Sequence, residues 1–247
     1  MPRFFVSGNS VDENNSIIKI VEDDARHIAR SLRMAVGDEI TVCDGSSREH
    51  VCELTRIRDE ECECKIISSR PGSGESPAEI TLCMAYPKGD KLETVIQKAV
   101  ELGTSRIVPF ESSRCIKRPK AEKVDKVTAR LGRIAEEAAK QCGRAKLPIV
   151  TPPVGYTEML RMAAACELSL FCYECEEGRS LKTALKDAGR VGSISVIVGA
   201  EGGFSHAEAD AAIAAGCVSV SLGERILRCE TAPSYVLSAI SYEYEMK

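Results

Sequence analysis

The sequence predicts an α/β protein in two parts: a small β-barrel, then a larger domain whose mostly parallel sheet is covered by helices. Three observations predict it. Short β-like runs with one helix fill the first 70 or so of 247 residues. A Pro/Gly/Ser-rich stretch, SRPGSGESPA at 69–78, marks a boundary. Beyond it strand and helix patterns alternate, which implies parallel strands joined by crossover helices.

The elements follow in order. Residues 4–6, 16–20, 39–43, 50–57 and 62–67 read as strands, with visible alternation in ECECKII. An amphipathic helix over 24–33 interrupts them, and Asp44–Gly45 is a tight-turn signal. Such a run of short strands suggests a small barrel over residues 1–72. Residues 79–86 form the next strand. Asp90 with Glu93 three residues on reads as a capping box. Leu92, Val95, Ile96, Ala99 and Leu102 then recur at helical spacing, and Gly103 ends the helix. Residues 106–110 are a strand and 119–142 a long helix. Further strands are expected at 168–173, 194–198 and 218–222. Ser205 with Glu208 makes a second capping box, stopped by Gly216. Thr231 caps a last helix with Pro233 in its first turn.

Composition bounds the function. No apolar run approaches the ~18 residues of a membrane span, and MPRFFVSGNS lacks a signal-peptide stretch, so the reading is a soluble, cytoplasmic protein. The 12 cysteines then read as reduced, small apolar residues rather than disulfides. Cys172 and Cys175 have C-x-x-C spacing, but the three histidines are scattered singly, so no metal is expected. Net charge is −4, yet residues 88–146 carry 15 Lys plus Arg against 8 Asp plus Glu, a local +7. That stretch is either a phosphate-facing surface or a long solvated helix.

Chemistry is expected at two late loops. IVGAEGGF (197–204) and LGERILRCETA (222–232) each join a strand to a helix, where open α/β sheets place ligands. Glycine lets a ligand approach the main chain. Neither loop matches a dinucleotide or phosphate signature, and Glu201 would oppose a phosphate. A carboxylate suits a cationic or ribose-bearing ligand better. In the second loop two arginines flank Ile226 and Leu227, a pattern that suits a loop folded over a ligand.

At these residues the chain resembles the bacterial ribosomal RNA (uracil-N3) methyltransferases, the RsmE family of the SPOUT superfamily. The likeness extends to HIARSLRMAVGDEITVCDG (27–45), KGDKLETVIQKAVELGTSRIVPFESSRC (88–115) and EEAAKQCGRAKLP (136–148). The family usually has proline where Ala200 stands and threonine where Cys229 stands. The resemblance implies an RNA-binding PUA-like barrel (1–72) and a SPOUT methyltransferase domain with a trefoil knot (73–247). It also implies S-adenosylmethionine as cofactor, ribosomal RNA of the small subunit as substrate, and an obligate homodimer.

Candidate residues follow. A fixed guanidinium could stabilise the anion of a deprotonated uracil, with Arg228 first and Arg225 second. Glu201 and Glu230 are candidate bases. Cofactor binding is expected from Gly199, Ala200, Glu201, Gly202, Gly203, Leu222, Gly223, Ile226, Leu227, Arg228 and Thr231, with Tyr173 beside them. Arg3, Arg30, Arg33, Lys88, Lys91, Arg114, Gln141 and Arg144 are candidate RNA contacts. Two rivals stay open: a SPOUT enzyme acting on transfer RNA or a ribose hydroxyl, and an RNA-binding assembly factor with a vestigial pocket.

Overall fold

The computed structural model describes residues 1–12, 14–45, 47–116 and 121–246. It divides into two compact units. The first comprises Met1–Glu75 together with Ala139–Leu147, and the second holds Ser76–Ala138 and Pro148–Lys247. A linear cut near residue 72 therefore misses one short segment that lies far along the chain.

The first unit is built on six strands: β1 (Arg3–Phe5), β2 (Val11–Asp12), β3 (Ile17–Val21), β4 (Glu39–Cys43), β5 (Arg48–Arg56) and β6 (Glu61–Pro71). They bond in the order β1-β4-β5-β6-β3-β2, with only β1–β4 parallel. Register shifts at Val51/Cys52 and Leu54/Arg56 bend β5 against β6. Phe4, Ile18, Ile20, Ile40, Val42, Cys52, Leu54, Cys62 and Cys64 fill the core. The cysteines here are free and buried, in the apolar role read from the sequence.

The helix expected over 24–33 is shorter and changes pitch. An α-turn, α1 (Glu22–Arg26), passes into a wider turn at His27–Ser31, where Leu32 N–H reaches the His27 carbonyl. Ala25 and Ile28 are both fully buried against the core, and Arg33 ends the segment at φ 51°.

Glu49 is fully buried and holds this unit together electrostatically. Its carboxylate accepts from Arg3 Nη1 at 2.8 Å and from Arg70 Nη2 at 3.1 Å. Burial raises the Glu49 pKa, but the two arginines outweigh it and leave it below its ordinary value. Arg144 is the second tie. Only 2% exposed, it donates to Glu75 through Nη2 at 2.6 Å and Nε at 3.3 Å. Its carbonyl accepts from Arg3 Nη1 at 3.1 Å. Arg3 and Arg144, expected to face RNA, are thus turned inward by carboxylates, that of Glu49 fully buried and that of Glu75 half-buried.

In the second unit the elements are β7 (Glu79–Ala85), α2 (Lys91–Glu101), β8 (Arg106–Glu111), α3 (Val124–Cys142), β9 (Ile149–Val150), β10 (Val154–Gly155), α4 (Tyr156–Ala163), β11 (Leu168–Cys172), α5 (Leu181–Ala188), β12 (Ser193–Val198), α6 (His206–Ala214), β13 (Val218–Val220) and α7 (Thr231–Glu245). The last residues of α3 group with the first unit. All pairings are parallel, in the order β10-β8-β7-β12-β11-β13 with β9 beside β8. Central strands buried on both faces are nearly continuous apolar runs, as ITLCMA and ISVIV are, with Thr81 and Ser195 the buried hydroxyls within them.

Two predicted caps differ. Asp90 has φ −103° and ψ 13°, not the extended shape of a capping residue, and its side chain makes no cap bond. Glu93 pairs instead with Arg130 Nη2 at 2.7 Å. Glu230, already helical, precedes α7, so Thr231 lies in the first turn and caps nothing. The long helix starts at Val124 after a 3₁₀ turn at Ala121–Lys123, and its expected start at 119 falls outside the described residues. Among the described residues no helix is long and apolar enough to cross a membrane.

Removing the buried charge tests this reading of the first unit. Glu49→Gln leaves Arg3 without its main counter-charge and should destabilise the protein by about 3 kcal/mol in urea titrations at neutral pH. Because the Glu49 pKa is lowered on folding, the wild-type contribution is full above the ordinary carboxylate range. It fades as pH falls through the lowered value. The variant should lack that component of acid sensitivity.

Candidate functional site

The carboxyl ends of β11, β12 and β13 open on one cavity of about 490 Å³. That is an ordinary size for a small-molecule site. Its walls are the turn after β12 (Gly199–Gly203), the loop after β13 (Ser221–Cys229), the end of β11 (Cys172–Glu174), and Lys91 and Ala232 from the first turns of α2 and α7.

Packing shapes the first wall. Phe204, 2% exposed, sits 4.5 Å from the Phe171 ring centroid and is stacked on Phe110 at 6.3 Å. To return Phe204 to the core within a few residues of Val198, the chain must fold on itself. Gly203 N–H bonds the Ala200 carbonyl at 2.9 Å, and Gly203 takes φ 60°. A Cβ at Gly203 would stand 1.9 Å from Glu174 Oε1, and one at Gly199 would stand 3.1 Å from Phe204 Cε2. Glycine is favoured at Gly203 by its left-handed backbone, the exposed Glu174 carboxyl being free to swing aside, and at Gly199 by the tight approach of the Phe204 ring and the Gly203 main chain.

A capping box then fixes the start of α6. Ser205 Oγ accepts from Glu208 N–H, and Glu208 accepts from Ser205 N–H at 2.9 Å. The same carboxylate takes Ser113 N–H at 2.7 Å and Ser113 Oγ at 2.8 Å. Ser205 Oγ also donates to it, at 2.9 Å; burial pushes the Glu208 pKa up, and these four donors pull it below its ordinary value.

The second wall is main chain with few internal bonds. Ser221 is tied by Arg179 and Leu181, and Arg228 O accepts from Thr231 and Ala232. Among the described residues, Leu222, Ile226 and Leu227 N–H donate to no protein group. They remain able to serve a ligand's polar edge. Ile226 is 81% exposed.

Charge converges between the walls. Lys91 Nζ lies 3.1 Å from Glu201 Oε1 on the first loop and 3.2 Å from Glu230 Oε2 on the second. Lys88 N–H also donates to Glu201, at 3.2 Å. Hydrogen bonds to Glu201 and then Glu230 raise the Lys91 pKa. Glu201 is lowered although its burial opposes this, since its own N–H, Lys91 and Lys88 N–H all favour the carboxylate. Glu230 is lowered, first by its own N–H. Beside them the Cys229 thiol donates to Glu230 Oε2 at 3.2 Å, and burial followed by that bond pushes it up to about 12. It is a neutral thiol at physiological pH.

The cavity gathers Tyr173, Gly199, Ala200, Glu201, Gly202, Gly203, Leu222, Gly223, Arg225, Ile226, Leu227 and Arg228. Thr231 lies outside its lining and is exposed, and Glu230 borders it through Lys91. Tyr173 is half-buried, with its hydroxyl 2.9 Å from His206 Nδ1. Sequence reasoning passed over Glu174, which follows a strand end as Tyr173 does, and placed Lys91 on RNA. The other expected RNA contacts are dispersed. Arg114 Nη1 donates to Gly202 O at 2.9 Å and so braces the glycine turn. Arg30 pairs with Asp59. Lys88, Arg33 and Gln141 are exposed.

The chain matches the family described as RNA methyltransferase domain over residues 74–241, and RNA methyltransferase PUA domain over 21–67. It is 32% identical to the ribosomal RNA small subunit methyltransferase E of Bacillus subtilis, across all of this chain and 98% of the relative. The Synechocystis protein of the same name is 32% identical over 87% of this chain and 69% of the relative. Among solved structures, ribosomal RNA small subunit methyltransferase E from Neisseria gonorrhoeae bound to S-adenosyl methionine superposes with TM-score 0.85 at 32% identity. That match spans 99% of this chain and 98% of the other.

The glycine turn provides a direct check. Gly203→Ala forces a Cβ onto Glu174 in a left-handed conformation, and should cost about 2 kcal/mol in chemical denaturation. Gly223→Ala, with no heavy atom within 4 Å of its added Cβ, should cost only the backbone part of that penalty.

Proposed function

This chain belongs to the ribosomal RNA small subunit methyltransferase E family, and from that premise we propose that it transfers a methyl group from S-adenosylmethionine to N3 of a uridine in 16S ribosomal RNA. It is an S-adenosylmethionine-dependent RNA methyltransferase with an N-terminal PUA-like domain. The observation that carries the finer reading is the cavity itself. Main-chain donors left without protein partners and a carboxylate on the glycine turn suit an adenine edge, a ribose and a sulfonium.

When bound, the cofactor supplies an electrophilic methyl on a cationic sulfur. The protein's part is position and charge. Leu222, Ile226 and Leu227 present N–H groups, and the apolar parts of Ile226 and Leu227 cover a planar base. Glu201 faces the cationic side. The uracil ring becomes a nucleophile at N3 once its proton leaves and negative charge spreads over O2 and O4. Arg228, with Arg225 second, is the group we assign to hold that charge. Both arginines are exposed cavity-lining residues with no ion-pair partner among the described residues. Glu201 and Glu230 serve poorly as bases while Lys91 holds them ionised and paired. The N3 proton passes to solvent, with hydroxide or a buffer base as acceptor, once a guanidinium has made the bound ring more acidic.

We extend the proposal to a homodimer that completes the site, supported by exposed apolar groups on the second loop and on α7: Ile226, which lines the cavity, is 81% exposed, and Tyr235 and Tyr242 are 46% and 69% exposed. The trefoil knot belongs to the same proposal, supported by β13 pairing with β11 and not with β12, which precedes it. The cytoplasm, where ribosomal RNA is made and modified, is the compartment we assign, supported by twelve unpaired cysteines.

Three measurements check these statements. Calorimetry should show binding of S-adenosylmethionine and none of NAD, and a preference for NAD would end the reading. Arg228→Ala should abolish methyl transfer to uridine N3, read by mass spectrometry of 16S RNA, with cofactor affinity kept within about tenfold; full activity would refute its role. Tyr242→Asp should shift sedimentation from dimer to monomer.

A further inference from the structure

We propose that Lys91 is a positioning residue: its ammonium latches the two loops of the cofactor cavity to one another before any ligand arrives. The proposal deepens the reading of the cavity as a cofactor site. Three observations carry it. Lys91 is the first residue of α2, an element separate from both loops, so it is anchored independently of them. One Nζ reaches carboxylates on both walls, Glu201 at 3.1 Å and Glu230 at 3.2 Å. The loops have little else in common. The first is held by Phe204, Arg114 and the Lys88 N–H, and the second by its own turn into α7.

The electrostatics give the latch a direction. Two carboxylates facing one another across a cavity repel, and an ammonium between them converts that repulsion into a shared attraction. All three groups are about one-third exposed or less, at 34%, 31% and 25% of their side chains, so water screens them incompletely. The cluster retains one net negative charge. A sulfonium-bearing ligand therefore meets that negative charge at the glycine-turn side of the cavity, away from whatever Arg225 and Arg228 hold on the second loop. Lys91 does not need to touch the reacting atoms for this, nor to touch RNA.

The test uses the full-length protein without cofactor. In Lys91→Met, hydrogen exchange of the bonded amides of Gly203 on the first loop and of Gly223, Thr231 and Ala232 on the second should quicken together by about tenfold, while amides of β7 and β12 keep their protection. Affinity for S-adenosylmethionine should weaken by about tenfold, with kcat at saturating cofactor within about threefold of wild type. Lys91→Arg should restore both. Glu201→Gln, which halves the latch without altering α2, serves as a second variant and should quicken exchange in both loops to a smaller degree. Unchanged exchange in Lys91→Met would overturn the proposal, as would quickening confined to one loop. So would intact cofactor affinity with a selective loss of RNA affinity, which would make Lys91 an RNA contact. If the wild-type protein bound no S-adenosylmethionine, the cofactor reading would fall while the exchange result still judged the latch.

Discussion

The interaction on which the site depends is the burial of Phe204 against Phe171 and Phe110. β12 is the central strand of an all-parallel sheet and delivers the chain to the sheet's carboxyl edge. Returning an aromatic ring to the core only six residues past Val198 leaves room for one tight reversal. That reversal favours glycine at 203, which takes a left-handed φ of 60°, and at 199, where a Cβ would press on the Phe204 ring. The cavity is thus a by-product of closing the core. Its first wall is main chain because the packing behind it excludes side chains.

Charge is arranged around that wall with unusual economy. Glu208 takes four donors and pins α6, Arg114 takes the Gly202 carbonyl, and Lys91 spans Glu201 and Glu230. Each carboxylate is held ionised by partners in spite of its burial. These groups therefore act by fixing geometry, and their protonation does not change near neutral pH. Among the described residues, the cavity groups without an ion-pair or hydrogen-bond partner include the side chains of Arg225 and Arg228 on the second loop and the amides of Leu222, Ile226 and Leu227.

The first unit shows the same logic at lower chemical stakes. Glu49, fully buried, is balanced by Arg3 and Arg70, and Arg144 by Glu75. Arg144 belongs to a segment that joins this unit from far along the chain, and its carbonyl meets Arg3. A basic residue read as a phosphate contact can serve as the counter-charge of a buried acid, and one sequence cannot separate the two.

Much was legible in the sequence by itself, because local rules govern it. Apolar periodicity located the strands and the main helices, the Ser205–Glu208 pair marked a cap that forms, and glycines flanking Glu201 marked the loop that lines the cavity. The failures were also local in kind. Asp90 and Thr231 have capping chemistry but not capping dihedrals, since neighbouring packing sets those angles. What only the tertiary structure decided is which charges meet. Lys91 and Glu201 are separated by over a hundred residues, and Glu75 and Arg144 by 69, and ion pairing acts through space without leaving a periodic trace along the chain. Side-chain identity supplied the charges, and the fold chose their partners.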